Sequence, residues 1–105
     1  MPSFTLETLH RARSWEDLCA GFRWEVPARL NLGWDCCGRH ASDPARVALY
    51  FEDERGATAA YTFSDIQRSA NRLSNSLCAL GVQRTYRVAI VLPQRPETAI
   101  AHIAI

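Results

Sequence analysis

Lysine is missing from this chain of 105 residues: all twelve basic side chains are arginines. The absence excludes a Schiff-base amine and the flexible ammonium that grips a transferring phosphate. Composition drift in a GC-rich genome is the simplest origin of the bias. Glycine is sparse, and its five residues form neither G-x-G-x-x-G nor G-x-x-x-x-G-K-[ST], so the usual backbone cradles for nucleotide phosphates are absent. There is no Cys-x-x-Cys pair: Cys36 and Cys37 are adjacent, while Cys19 and Cys78 stand alone. That usage suits reduced thiols in a cytoplasm rather than a disulfide framework. No apolar run is long enough to cross a bilayer. Met1 to Leu18 carries Glu7, His10, Arg11, Arg13, Glu16 and Asp17, so a secretory leader is not expected. The net charge of +1 supplies no field for collecting nucleic acid or anionic lipid.

What is present reads as an α/β chain of at most one small domain. Residues 1–13 form a polar lead-in, and residues 14–105 form the folding part. Ser14 before Trp15-Glu16-Asp17 is a helix start with acid in its first turn, and Leu18 and Phe22 share a face. Pro27 ends that element. Asn31 caps a second short helix expected through His40, weakened by Gly33 and Gly38. Val47–Glu52 and Ala59–Phe63 are strands of a hairpin turned by Asp53-Glu54-Arg55-Gly56.

Ser64 and Gln67 have the spacing of a capping box. Behind them Ile66, Ala70, Leu73, Leu77 and Leu80 recur at fours and threes, an apolar helical stripe ended by Gly81. Val88–Leu92 is a nearly continuous apolar run, expected as a strand covered on both faces. Pro93 stops it, and Pro96 with Glu97 opens a last helix. The strand, helix and strand between 59 and 92 therefore predict one βαβ unit with a right-handed crossover. The apolar end, Ala99 to Ile105, predicts a hydrophobic face awaiting cover.

No constellation rises to a catalytic, cofactor-binding or metal site. Ligands of open α/β sheets sit beyond the carboxyl ends of strands, here Ser64 and Asp65, and Pro93 to Glu97. Arg95 at a helix start could hold an anion, but Glu97 already offsets the dipole, so a surface turn is expected. Cys36 and His40 lie one turn apart, yet adjacent thiols rarely both reach one zinc ion, and Cys19, His10 and His102 are not placed to complete a site. Ser64 and Ser69 lack a histidine partner and a nucleophile elbow. Glu52, Asp53 and Glu54 read as a solvated turn. Trp15, Trp24 and Trp34, with no basic groove around them, read as packing residues rather than base-stacking platforms.

The ordered set of segments resembles the N-terminal part of the AMP-forming acyl-CoA synthetases, among the adenylate-forming ligases, and most of all their acetyl-CoA and medium-chain branch. The resemblance covers residues 15–105 and rests on Phe22 to Asn31, Pro44 to Glu54, Tyr61 to Asp65, Asn71 to Leu73, Ala79 to Val82, and Arg87-Val-Ala-Ile-Val-Leu-Pro-Gln-Arg-Pro-Glu. It implies ATP, Mg²⁺ and coenzyme A as cofactors of a full enzyme that joins a carboxylic acid to CoA through an acyl-adenylate. The working parts of such enzymes include a Ser/Thr/Gly-rich phosphate loop and a C-terminal-domain lysine. None falls in these residues, so no site residue is carried over and the chain alone is expected to be inactive. Its partner would be the remainder of the synthetase. A small non-catalytic binding module is the alternative, and a nucleotide-binding half-domain is disfavoured without a phosphate loop. Two departures stand out: Thr85-Tyr86 replaces the Gly-Asp turn usual before the strand, and Gly38 sits where a better helix former is expected.

Overall fold

The computed structural model describes residues 10–22 and 27–105, so Trp24 and most of the polar lead-in lie outside the described residues. Helix α1 (Trp15–Gly21) begins where expected, with the Ser14 hydroxyl accepting from the Asp17 amide. Asn31 likewise caps α2 (Leu32–Cys36), its Oδ1 accepting from the Trp34 amide at 2.9 Å. This helix does not continue to His40. It breaks at Cys37 and resumes as a single 3₁₀ turn, Gly38–His40.

Gly38 owes its place there to packing, because a Cβ at this position would lie 2.6 Å from Trp34 Cε3. Gly33 serves a close approach to backbone rather than to a side chain. Its missing side chain would meet the Ile103 carbonyl oxygen at 2.9 Å, so α2 docks backbone-close against the end of the last helix.

Strands β1 (Val47–Glu52) and β2 (Thr58–Thr62) pair antiparallel, with Phe51 opposite Ala59 and Val47 opposite Thr62. The register shifts between Val47 and Leu49. At the turn, Asp53 Oδ1 accepts from the Arg55 and Ala57 amides, and Gly56 takes φ 79°. The ladder runs to Thr62 itself, and the Phe63 amide then bonds the Arg46 carbonyl. Thr62 is consequently the last extended residue and the cap of α3 (Phe63–Ala79). This corrects the expected Ser64–Gln67 capping box, since a cap must stand one residue outside the helix. The box is Thr62–Asp65, and Gln67 instead donates Nε2 to Asn71 Oδ1 one turn on.

The C-terminus of α3 is a full Schellman closure: Val82 N–H bonds the Leu77 carbonyl and Gly81 N–H the Cys78 carbonyl, with Gly81 at φ 89°. Such a turn satisfies carbonyls the helix leaves open and favours glycine at the left-handed position.

Burial along the α3 stripe is graded. Ile66 and Ala70 are 4% and 1% exposed, whereas Leu80 is 82% exposed. Helix α4 (Pro96–Ala104) lies against the buried end through Ala101, so small side chains set the closest contact of the two helices. With Cys37 these residues are the buried apolar core among the described residues. Trp15 and Trp34 remain mostly exposed, which corrects their reading as packing residues: the core is too small to cover them.

The chain is mixed α/β, as expected, but the third strand of the βαβ unit does not form. Among the described residues the sheet has two strands. Residues 87–92 run without helix, turn or bend, and none of their amides or carbonyls joins a backbone hydrogen bond with another described residue. A strand exists only through a neighbour about 4.8 Å away. Here an open gap of about 530 Å³, lined by Tyr50, Phe51, Gln94 and Pro96, separates β1 from the start of α4.

Candidate functional site

The two strand-end turns are closed networks. The Asp65 carboxylate accepts from the Thr62 amide at 3.1 Å and the Thr62 hydroxyl at 2.7 Å, with Arg68 Nη1 at 3.6 Å. The hydroxyl bond and then the amide hold its pKa below the ordinary value against the opposing effect of desolvation, with the Arg68 charge adding the least. Its oxygens are occupied in fixing the start of α3, not turned to a substrate. At α4, Arg95 Nε meets Glu97 Oε2 at 3.2 Å, and Thr98 Oγ1 donates to the Pro93 carbonyl at 2.8 Å. The Glu97 carboxyl is also held low, first by its own backbone amide and then by Arg95. The donors and the cation that might receive an anion are thus engaged by an acid of the same turn.

The cysteines and histidines singled out by spacing do not converge. Cys36 points outward, while the Cys37 thiol is buried and faces the Phe63 carbonyl at 3.5 Å. Burial, and after it the neighbouring Cys36, raises the Cys37 pKa and disfavours its thiolate. His40 Nδ1 lies 3.1 Å from Arg46 Nη1, and a guanidinium can only donate to it. Its ring tilts against Phe63 with centroids 5.1 Å apart, and the Arg46 guanidinium lies over the same phenyl ring. Among the described residues no three His, Cys, Asp or Glu side chains are grouped to hold a metal ion. No helix there is long and apolar enough to cross a membrane.

A groove of about 770 Å³ opens among α2, α3 and α4. Trp34, Asn71, Ser74, Arg84 and His102 line it, and Gln67 contributes a carbonyl oxygen that is buried without a partner among the described residues. One guanidinium, four amide or hydroxyl side chains (Asn31, Gln67, Asn71 and Ser74) and an imidazole make a hydrogen-bonding cleft. They include no nucleophile paired with a base. Arg84 and His102 are brought together by the Gly81 turn and the return of α4. Their separation in sequence carries no spacing signal that would have joined them.

The AMP-binding enzyme family matches residues 38–105. An acetyl-coenzyme A synthetase of Streptomyces coelicolor is 40% identical over 84 residues, covering 78% of this chain and 13% of that protein. One from Gemmatimonas aurantiaca is 40% identical over 95 residues, covering 89% and 14%. A 3-hydroxypropionyl-coenzyme A synthetase of Sulfurisphaera tokodaii is 32% identical over 85 residues, covering 79% and 13%. No solved structure matches. The chain belongs to the AMP-binding enzyme family, and its relatives are acyl-CoA ligases. It spans about one-seventh of their length.

Proposed function

We propose that this chain is a scaffold segment of an AMP-forming acyl-CoA synthetase and has no ligase activity by itself. The family match over residues 38–105 carries the reading. The small core and the unpaired segment 87–92 support it, since both are expected of a piece that completes its sheet and core against more polypeptide. The whole enzyme would activate a carboxylic acid with ATP, release pyrophosphate and pass the acyl group to the CoA thiol in the cytoplasm.

The residues here do not fit the nucleotide or its magnesium. Of the positive-φ glycines, Gly56 turns a hairpin and Gly81 ends a helix. The start of α4 is filled by Glu97, and there is no lysine. What this chain contributes is position: the hairpin and the α3–α4 pair form a frame on which the remainder of the synthetase builds its site.

The test is complementation in trans. The remainder of the Streptomyces coelicolor synthetase, lacking its matched 84 residues, is co-expressed with this chain and assayed for acetate-dependent ATP–pyrophosphate exchange. Neither part alone should exchange, and the pair should co-purify and recover exchange. Exchange by this chain alone would refute its inactivity. Failure to co-purify would refute the scaffold role and favour an independent interaction module.

A further inference from the structure

We propose that the groove among α2, α3 and α4 binds a small aromatic anion, its ring on Trp34 and its oxyanion on Arg84. The groove's volume of about 770 Å³ lies in the range of small-molecule sites. No Asp or Glu side chain lines it, and the polar groups it offers are mainly donors. Asn31 Oδ1 is taken by the Trp34 amide and Asn71 Oδ1 by Gln67 Nε2, so both side chains have N–H groups left to give. Ser74 adds a hydroxyl and Arg84 a guanidinium. Arg39, Arg68 and Arg95 each face a carboxylate, whereas Arg84 has no ion pair with another described residue. Donors gathered around one uncompensated cation are the complement of an oxyanion.

The shape of the ligand follows from the two ends of the groove. Trp34 and Gln67 stand together at one end, since a Cβ on Gly38 would lie 2.6 Å from Trp34 Cε3 and 3.2 Å from Gln67 Oε1. Trp34 is 61% exposed, which leaves an indole face for an aromatic ring. Ser74 and Arg84 stand at the other end, where both also line the adjoining cavity beside residues 82–86. The turn closed by the Tyr86 amide on the Gln83 carbonyl carries Arg84 there. Gln67, Asn71 and Ser74 follow one face of α3, and the rise from 67 to 74 is about 10 Å. Ring and charge are therefore joined by a short linker rather than directly. The carbonyl end of α4 and the terminal carboxylate of Ile105 share the rim, and their negative charge works against any anion. The affinity is accordingly modest, with a Kd on the order of a millimolar for a ligand of about a dozen heavy atoms.

Heteronuclear NMR of the isotope-labelled full chain, titrated with phenylpropanesulfonate, tests the site. A ligase that activates carboxylic acids does not consume this anion, so the result is independent of the complementation assay. The Trp34 indole N–H, the Arg84 Nε–H and the side-chain amides of Asn31 and Asn71 should shift together along one saturating curve. The Trp15 indole, 71% exposed but outside the groove, should not move. Arg84→Gln should weaken the sulfonate several-fold and leave uncharged phenylpropanol unchanged. Arg84 is exposed, so the substitution spares the core, and amide dispersion checks that the variant folds. Benzenesulfonate, which lacks the linker, should bind several-fold more weakly than the longer probe. Ser74→Asp, which sets a carboxylate in the groove, should abolish sulfonate binding. Equal shifts at Trp15, unchanged affinity in Arg84→Gln, or an alcohol that binds as tightly as the sulfonate would overturn the assignment. The absence of any saturable shift well above that Kd would overturn the site altogether.

Discussion

Among the described residues, Thr85 is the non-glycine residue with positive φ, 81°. It is the third residue of a turn closed by the Tyr86 amide on the Gln83 carbonyl at 3.1 Å. A turn with positive φ at that position takes glycine, because any Cβ crowds the backbone and a branched one does so most. The left-handed conformation costs an L-residue about 1–2 kcal/mol. The Thr85 side chain is exposed, and no hydrogen bond to another described residue offsets the strain. Thr85→Gly removes that strain but gives the unfolded chain about 0.4–1 kcal/mol more entropy to lose. The net expectation is a stabilisation of about 0.5–1 kcal/mol, which for a domain of this size raises Tm by roughly 2–6 °C. Thermal and urea unfolding followed by far-ultraviolet circular dichroism, at a concentration that keeps the chain monomeric, reads the shift. Thr85→Ala is the control, because it keeps the Cβ and should recover little of the gain. A glycine variant no more stable than the parent, or an alanine variant that matches it, would refute the argument from backbone strain.

Thr62→Ala should cost about 1 kcal/mol through loss of the α3 cap, whereas Ser64→Ala should stay within about 0.5 kcal/mol; urea midpoints separate the two. Gly33→Ala should destabilise by about 1–3 kcal/mol, since its Cβ meets the Ile103 carbonyl and backbone cannot turn aside as a side chain can. Asp65 has a folded pKa below its ordinary 3.8. Its ionised form therefore stabilises the fold fully above that value, and the contribution is lost as pH falls through the folded pKa. Asp65→Asn should flatten this acid limb of the stability–pH profile, and an unchanged limb would assign it to another group. Three of the four thiols should react rapidly with an aromatic disulfide reagent, and Cys37 should react slowly until urea opens the core.

The elements read well wherever the signal is local. Ser14, Asn31, Gly81 and Pro96 each mark a helix end by satisfying or omitting a backbone group, and those preferences hold without any neighbour. Two overlapping four-residue patterns, Thr62 to Asp65 and Ser64 to Gln67, both read as capping boxes. Only the length of the β1–β2 ladder decides between them, and register is a tertiary fact. Trp15 and Trp34 stand exposed for a related reason: burial depends on whether enough surface folds over a side chain, not on its hydrophobicity. The groove joining Arg84 to His102 was invisible because nothing in either residue's vicinity points to the other.

Val88 to Leu92 shows most clearly how local sequence and fold come apart. Its composition suits a strand covered on both faces, but a strand is a relation between two backbones, and here the second is wanting. Apolar side chains at 88 and 90 can settle on α3 and α4 without a partner, because hydrophobic contact is not directional. The amides cannot, because a backbone donor needs an acceptor in a fixed direction. The segment is thus half-folded by one force and left incomplete by the other. A purely apolar cover would leave those amides unsatisfied, and a polar loop would leave Val91 bare. Only another extended, apolar backbone meets both demands, and that is what the proposed scaffold role asks the remainder of a synthetase to supply to these five residues.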